Sequence, residues 1–190
     1  MSTARAGWLP LIIVLVAAGC GSSSQPVQVT RTASTNQTAY ETRQMRLSGI
    51  QLSEGLEKDN RFFMQVVGTC TGQDCVPRSY ALHFIKEGLQ PVQLEGRGVT
   101  LTIGTETLSW KDPQSRSVNR TSTIRSGTFA KVEVTSEQLS TIGGVNEVSG
   151  TVGGESFSIS HDARAPIRQL LARLDQEANG SSEAPSPQET

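Results

Sequence analysis

The chain has 190 residues, enough for one domain once leader and tail segments are set aside. Its 17 basic and 18 acidic residues leave a formal charge of −1. Both signs are scattered along the sequence, which carries no electrostatic footprint for nucleic acid or for an anionic surface. A hydrophobic content of 35%, part of it in the first twenty residues, allows only a modest core built from half-buried elements.

Arg5 precedes an apolar run from Trp8 to Ala18 that is broken only by Pro10. At about eleven residues the run is too short to span a bilayer, which takes about twenty, and has the length of a signal-peptide core. It ends in Ala17-Ala18-Gly19-Cys20, after which the chain turns at once to Gly21-Ser22-Ser23-Ser24, a flexible composition. These residues resemble the lipobox of bacterial lipoproteins, with Ala17 standing where that family most often has leucine. The resemblance covers about the first two dozen residues. It implies cleavage before Cys20, diacylglycerol on the Cys20 thiol, and attachment to a membrane through that lipid. Gly21 is not the aspartate that favours inner-membrane retention in the family, so the resemblance implies an outer-membrane address in a source with two membranes. Cleavage there would leave 16 basic and 18 acidic residues, a net of −2.

Residues 20–39 are rich in Ser, Thr, Gln and Asn and read as a disordered tether. Residues 177–190 hold Asn179-Gly180, Pro185 and Pro187 among polar neighbours and read as a loose tail. The folded unit is then 40–176.

Its signals are mainly β. Strands are expected over Tyr40–Ile50, Arg61–Thr69 and Ser79–Lys86, where Tyr80, Leu82 and Phe84 alternate with Ala81, His83 and Ile85. Pro91–Leu94 and Gly98–Gly104 read as a pair around Glu95-Gly96-Arg97. In the second of these, Val99, Leu101 and Ile103 alternate with Thr100 and Thr102, so one face should be buried. Thr105–Trp110 continues the meander, and a polar loop runs from Asp112 to about Arg120. After a strand over Thr128–Val134, Thr135 with Gln138 three residues on forms a capping-box pattern for a short helix stopped by Gly143-Gly144. Val145–Val152 and Glu155–Ile159 suit a hairpin across Gly153-Gly154. Ile167, Leu170, Leu171 and Leu174 then make one apolar stripe of a final helix, with Pro166 in its first turn. The expectation is an α+β domain: an antiparallel sheet or small sandwich covered by a C-terminal helix.

Beyond Cys20, the remaining cysteines are Cys70 and Cys75. Four residues separate them, between two strong strand signals, and in an oxidising compartment they should pair across the hairpin tip, leaving no free thiol. The spacing is not the C-x₂-C of thioredoxin-type redox chemistry. His83 reads as a half-exposed sheet histidine, and Asp162, after His161, as the N-cap of the final helix. Glu54, Glu57 and Asp59 cluster with Lys58, without the spacing of a calcium loop. Lys111, Arg116, Arg120 and Arg125 form a locally basic stretch beside Trp110 that suits an anionic glycan or headgroup, or simply an exposed loop. No nucleophile elbow, zinc-protease helix or phosphate loop is present, and no cofactor or metal is implied. Two main readings result. One is a lipid-anchored envelope protein whose domain binds or scaffolds a protein or glycan. The other is an envelope hydrolase using carboxylates such as Asp74, Glu87 or Glu106 in a cleft. A disulfide-exchange protein built on Cys70 and Cys75 is a third. A hydrolase needs carboxylates gathered in a concave pocket, whereas a binding module presents an open sheet edge or an apolar patch.

Overall fold

The computed structural model describes residues 25–52, 59–73, 75–89, 92–93, 98–111, 121–122 and 126–180. The leader with Cys20 lies outside them. Also outside are Glu54, Glu57, Lys58, Asp74, the turn 95–97, and Arg116, Arg120 and Arg125.

Period-two alternation dominates the chain and produces antiparallel strands throughout. The first sheet contains β1 (Val27–Thr32), β2 (Gln37–Thr42), β3 (Met45–Arg46), β4 (Asn60–Thr71), β5 (Ser79–Gly88) and β10 (Ser126–Thr135). Its order is β1-β2-β4-β5-β10, and β3 pairs with β4 beyond the end of β2. The second sheet holds β7 (Val99–Ile103), β8 (Glu106–Trp110), β11 (Glu147–Val152) and β12 (Glu155–Ser160) in the order β12-β11-β7-β8. A two-residue pair, β6 (Val92–Gln93) with β9 (Thr121–Ser122), stands apart. The helices are α1 (Ser136–Gly144) and α2 (Ala165–Gly180), the latter entered through a 3₁₀ turn, Asp162–Arg164. The fold is α+β, mostly antiparallel sheet with a C-terminal helix.

One core joins both sheets and both helices. Phe62, Met64 and Val66 of β4, Leu82 and Phe84 of β5, and Phe129 and Val132 of β10 meet Val99 and Leu101 of β7, Val148 of β11 and Phe157 of β12. Phe84 and Phe157 lie 5.7 Å apart across the two sheets, and Phe62 and Phe129 meet edge-on at 5.9 Å within the first. A paired bridge fastens the sheets at one corner. Ser48 N–H donates to the Ser158 carbonyl (3.0 Å) and Ser158 N–H to that of Ser48 (2.8 Å). Helix α2 lies against β1, β2 and α1. It buries Ile167, Leu170 and Leu174 completely or nearly so and Leu171 in part, which is the expected stripe.

Local signals behave as the physics requires. The Thr135 hydroxyl accepts from Gln138 N–H, and the Gln138 side chain accepts from Thr135 N–H, so the capping box is complete. The β11–β12 turn places Gly153 at φ 58° and Gly154 at φ 90°, values that suit glycine and match the twist of the strands. Gly150, midway along β11, meets a different demand. A Cβ there would sit 2.1 Å from the Thr100 carbonyl oxygen and 3.0 Å from the Phe157 ring, so only hydrogen fits.

Four expectations are corrected. The segment 20–39 is not all tether: Val27–Thr32 forms β1 and pairs in full register with β2. Being an edge strand, β1 buries only Val27 fully, so its sequence lacks the apolar content that marks a strand. Helix α2 runs to Gly180, past the boundary drawn at 177, because Glu177 is held by Tyr40. Tyr40–Ile50 is two strands rather than one, interrupted at Arg43-Gln44. Finally, residues 92–93 pair with 121–122 and not with 98–104, whose partners are β8 and β11.

Candidate functional site

The cysteines are bonded, with an S–S distance of 2.07 Å and a Cα–Cα distance of 5.9 Å. The bridge closes the β4–β5 connection, and the first hairpin grips that loop from one side. The Thr38 hydroxyl donates to the Gly72 carbonyl, and Gly72 N–H donates to Asn36 at 2.8 Å. The Tyr40 hydroxyl lies 3.0 Å from the Cys75 carbonyl and hydrogen-bonds the Glu177 carboxylate, to which Arg173 Nε also donates at 3.1 Å. Strand β2, the disulfide loop and the last turn of α2 are thus tied at one buried hydroxyl.

Burial, then the hydrogen bond to Glu177 and its charge, push the Tyr40 hydroxyl up to about 12. The unfolded chain releases this proton near pH 10, so the folded state holds it where the unfolded state has lost it. The resulting stabilisation is complete below pH 10 and disappears as pH rises through 12. Tyr40→Phe is expected to flatten the fall in stability across that interval, measured by urea unfolding at stepped alkaline pH. A fall as steep in the variant as in the parent would assign it to other groups. Tyr80, raised by burial and then by the charge of Asp175, contributes a slope of the same sign in both proteins.

A second polar cluster escapes sequence reasoning altogether. Arg164 is fully buried and donates to the carbonyls of Ile142, Val145 (2.7 Å), Asn146 (2.9 Å) and Ser160 (3.3 Å). Arg168 adds bonds to Gly143 (3.1 Å) and His161 (2.9 Å). These arginines gather the orphan carbonyls at and just beyond the C-terminal end of α1, where positive charge is also favoured by the helix dipole. Burial and then the charge of Arg168 lower the Arg164 pKa, yet the guanidinium remains the cation its acceptors need. A single-sequence search looks for basic residues at the end of their own helix, and these sit on the next one.

The anticipated histidines stay apart from any such cluster. His83 lies on the outward face of the first sheet, opposite Gln65 and Lys131. Its Nε2 is buried without a hydrogen-bond partner, and burial, then the Lys131 charge, lower its pKa. His161 Nδ1 is 3.8 Å from Asp162 Oδ1, both side chains being exposed. Asp162 is not the N-cap expected of it: it is the first residue of the 3₁₀ turn, whose N-cap position is His161 without a side-chain cap bond, and Ser160 Oγ accepts from Ala163 N–H at 3.3 Å. Lys86, completely buried, donates to the Gly88 carbonyl at 3.3 Å, and burial lowers its pKa.

Of the suggested carboxylates, Glu87 pairs with Arg61 (3.3 Å) on the first sheet and Glu106 is exposed at the start of β8 on the second, so the fold separates them. Asp59 and Lys111 are exposed, and no group of three or more metal-binding side chains occurs among the described residues. Among those residues the exposed large hydrophobics are Val76 and Leu89, in separate loops, and no helix is long and apolar enough to cross a membrane.

The outward face of the second sheet is more regular. Register places Ser109, Thr100, Thr151 and Ser156 in one row across β8, β7, β11 and β12, and Thr107, Thr102, Ser149 and Ser158 in the next. Every position in both rows bears a hydroxyl and none a charge. The central strands are half-buried and the outer ones exposed. Thr100 and Thr151 hydroxyls meet at 2.7 Å, and those of Thr102 and Thr107 at 3.4 Å. Neighbouring strands lie ~4.8 Å apart, so each row presents hydroxyls over roughly 14 Å. The outward face of the first sheet differs, carrying Glu41, Gln65, His83, Lys131 and Glu133. Beside β1, a third feature opens: a groove of about 400 Å³ between Gln25 and Pro26 on one side and Gln169, Ala172, Arg173 and Gln176 of α2 on the other.

No protein-family model, no curated protein and no solved structure matches the chain.

Proposed function

We infer that this chain is a lipid-anchored protein of the bacterial envelope whose β-rich domain is a non-catalytic binding or scaffolding module. The observation that carries the binding half of this reading is the hydroxyl face of the second sheet. Its rows of neutral donors and acceptors, ending at β8 on the sheet's outer edge, suit a neutral glycan or the polar surface of an envelope protein. Separation of Glu87 and Glu106 onto different sheets weighs against the carboxylate hydrolase. The disulfide loop, gripped by Thr38 and Tyr40, weighs against easy exchange. The anchor rests on Ala17-Ala18-Gly19-Cys20 and the apolar run before it. Each buried CH₂ contributes about 0.8 kcal/mol, so two or three acyl chains hold such a protein to a membrane permanently.

The experiment is the intact mass of the membrane-extracted protein beside that of Cys20→Ala. A chain beginning at Cys20 and carrying acyl groups, with neither property in the variant, is the expected result. An unacylated chain with another N-terminus overturns the anchor.

A further inference from the structure

Resting on the anchor just inferred, we propose that the groove between the start of β1 and helix α2 lies against the bilayer and receives its phospholipid headgroups. The argument begins with chain length. Gln25 is on the rim of the groove and stands five residues after Cys20. Five fully extended residues reach no more than about 18 Å. A domain of residues 25–180 has a radius of gyration of about 15 Å and is roughly 40 Å across. The leash is therefore shorter than half the domain's girth. The domain cannot turn this end away from the membrane without detaching, and the surface around Gln25 stays at the headgroup layer.

That surface has a matching chemistry. The α2 side of the groove offers the amides of Gln169 and Gln176 and the guanidinium of Arg173, all exposed, and no carboxylate lines it. Glu177 engages Arg173 through Nε, which fixes the guanidinium plane, and the Arg173 side chain remains 46% exposed. Amide and guanidinium donors bind phosphate oxygens and ester carbonyls, the groups found at this depth of a bilayer. Arg43, exposed and held to the Pro26 carbonyl by its backbone N–H (3.0 Å), adds positive charge at the same end.

The test uses full-length lipidated protein reconstituted in vesicles of phosphatidylethanolamine and phosphatidylglycerol. A fluorophore is placed through Gln169→Cys or, separately, through Glu133→Cys, with Cys70 and Cys75 left bonded. Glu133 is exposed on β10, four strand spacings or ~19 Å from β1 across the first sheet. With nitroxide on the lipid headgroups, the label at position 169 should be quenched several-fold more than the label at 133. Equal quenching, or stronger quenching at 133, in a sample whose intact mass shows acylation overturns the orientation and leaves the anchor standing. A sample that is not acylated overturns both.

Discussion

Arg164→Met is expected to lower the free energy of unfolding by about 2–3 kcal/mol, because the buried Ile142 carbonyl and the partly buried carbonyls of Val145, Asn146 and Ser160 lose this donor at once, and a buried unsatisfied group costs about 1–3 kcal/mol. The methionine chain fills most of the volume, so the effect isolates hydrogen bonding from cavity formation. Urea unfolding followed by circular dichroism measures it, and a change under 1 kcal/mol would show that the carbonyls find other partners. Arg164→Lys should recover little, since one ammonium cannot serve acceptors spread over Ile142, Val145 and Asn146 as a planar fork does. Arg168→Ala, at a half-buried position, should cost only about 0.5–1 kcal/mol, in the range of a charge near a helix end.

Gly150→Val should destabilise the domain by about 3 kcal/mol, and Gly150→Ala by about 2 kcal/mol, through overpacking. The added carbon meets the backbone oxygen of Thr100, which belongs to the central pairing of β7 with β11 and cannot swing aside as a side chain would. Relief requires either separating those strands or displacing Phe157 from Phe84. Gly144 is the counterpart. Nothing lies within 4 Å of a Cβ added there, and it closes α1 in helical backbone, so Gly144→Ala should stabilise by about 0.5–1 kcal/mol. Opposite signs for the two alanine variants, in the same urea titration, are the result that tests close approach against a general dislike of replacing glycine in this chain.

Legibility followed how local each determinant is. The capping box at Thr135 and Gln138, the Gly153-Gly154 turn and the Ile167–Leu174 stripe are written within a few residues of where they act, and each formed as read. Edge strand β1 was not legible, because its stabilisation comes from a ladder with β2 and not from its own apolar residues. The Arg164 cluster depends on bringing the end of α1 beside the start of α2, with a hairpin inserted between, and no short window of sequence contains both partners. The hydroxyl rows were half visible. The alternation of Thr100 and Thr102 with buried neighbours was readable, but alignment with Ser149, Thr151, Ser156 and Ser158 needs the strand order β12-β11-β7-β8, which depends on pairings far apart in the chain. His83 fell where expected, at an intermediate depth on a sheet face, while the Asp162 cap failed because a 3₁₀ turn begins at that residue and draws it into the helical entry.

The hydroxyl of Tyr40 meets the carboxylate of Glu177 across a separation of 137 residues. The first hairpin and the final helical turn therefore complete one another, and neither end of the domain is finished alone. A polypeptide delivered N-terminus first, whether from a ribosome or through a secretion channel, holds β1 and β2 without their clamp until its last folded segment arrives. The tie between Tyr40 and Glu177 therefore forms only once nearly the whole domain is available. Until then β2 lacks that contact, while β1 is the edge of the first sheet both before and after it forms.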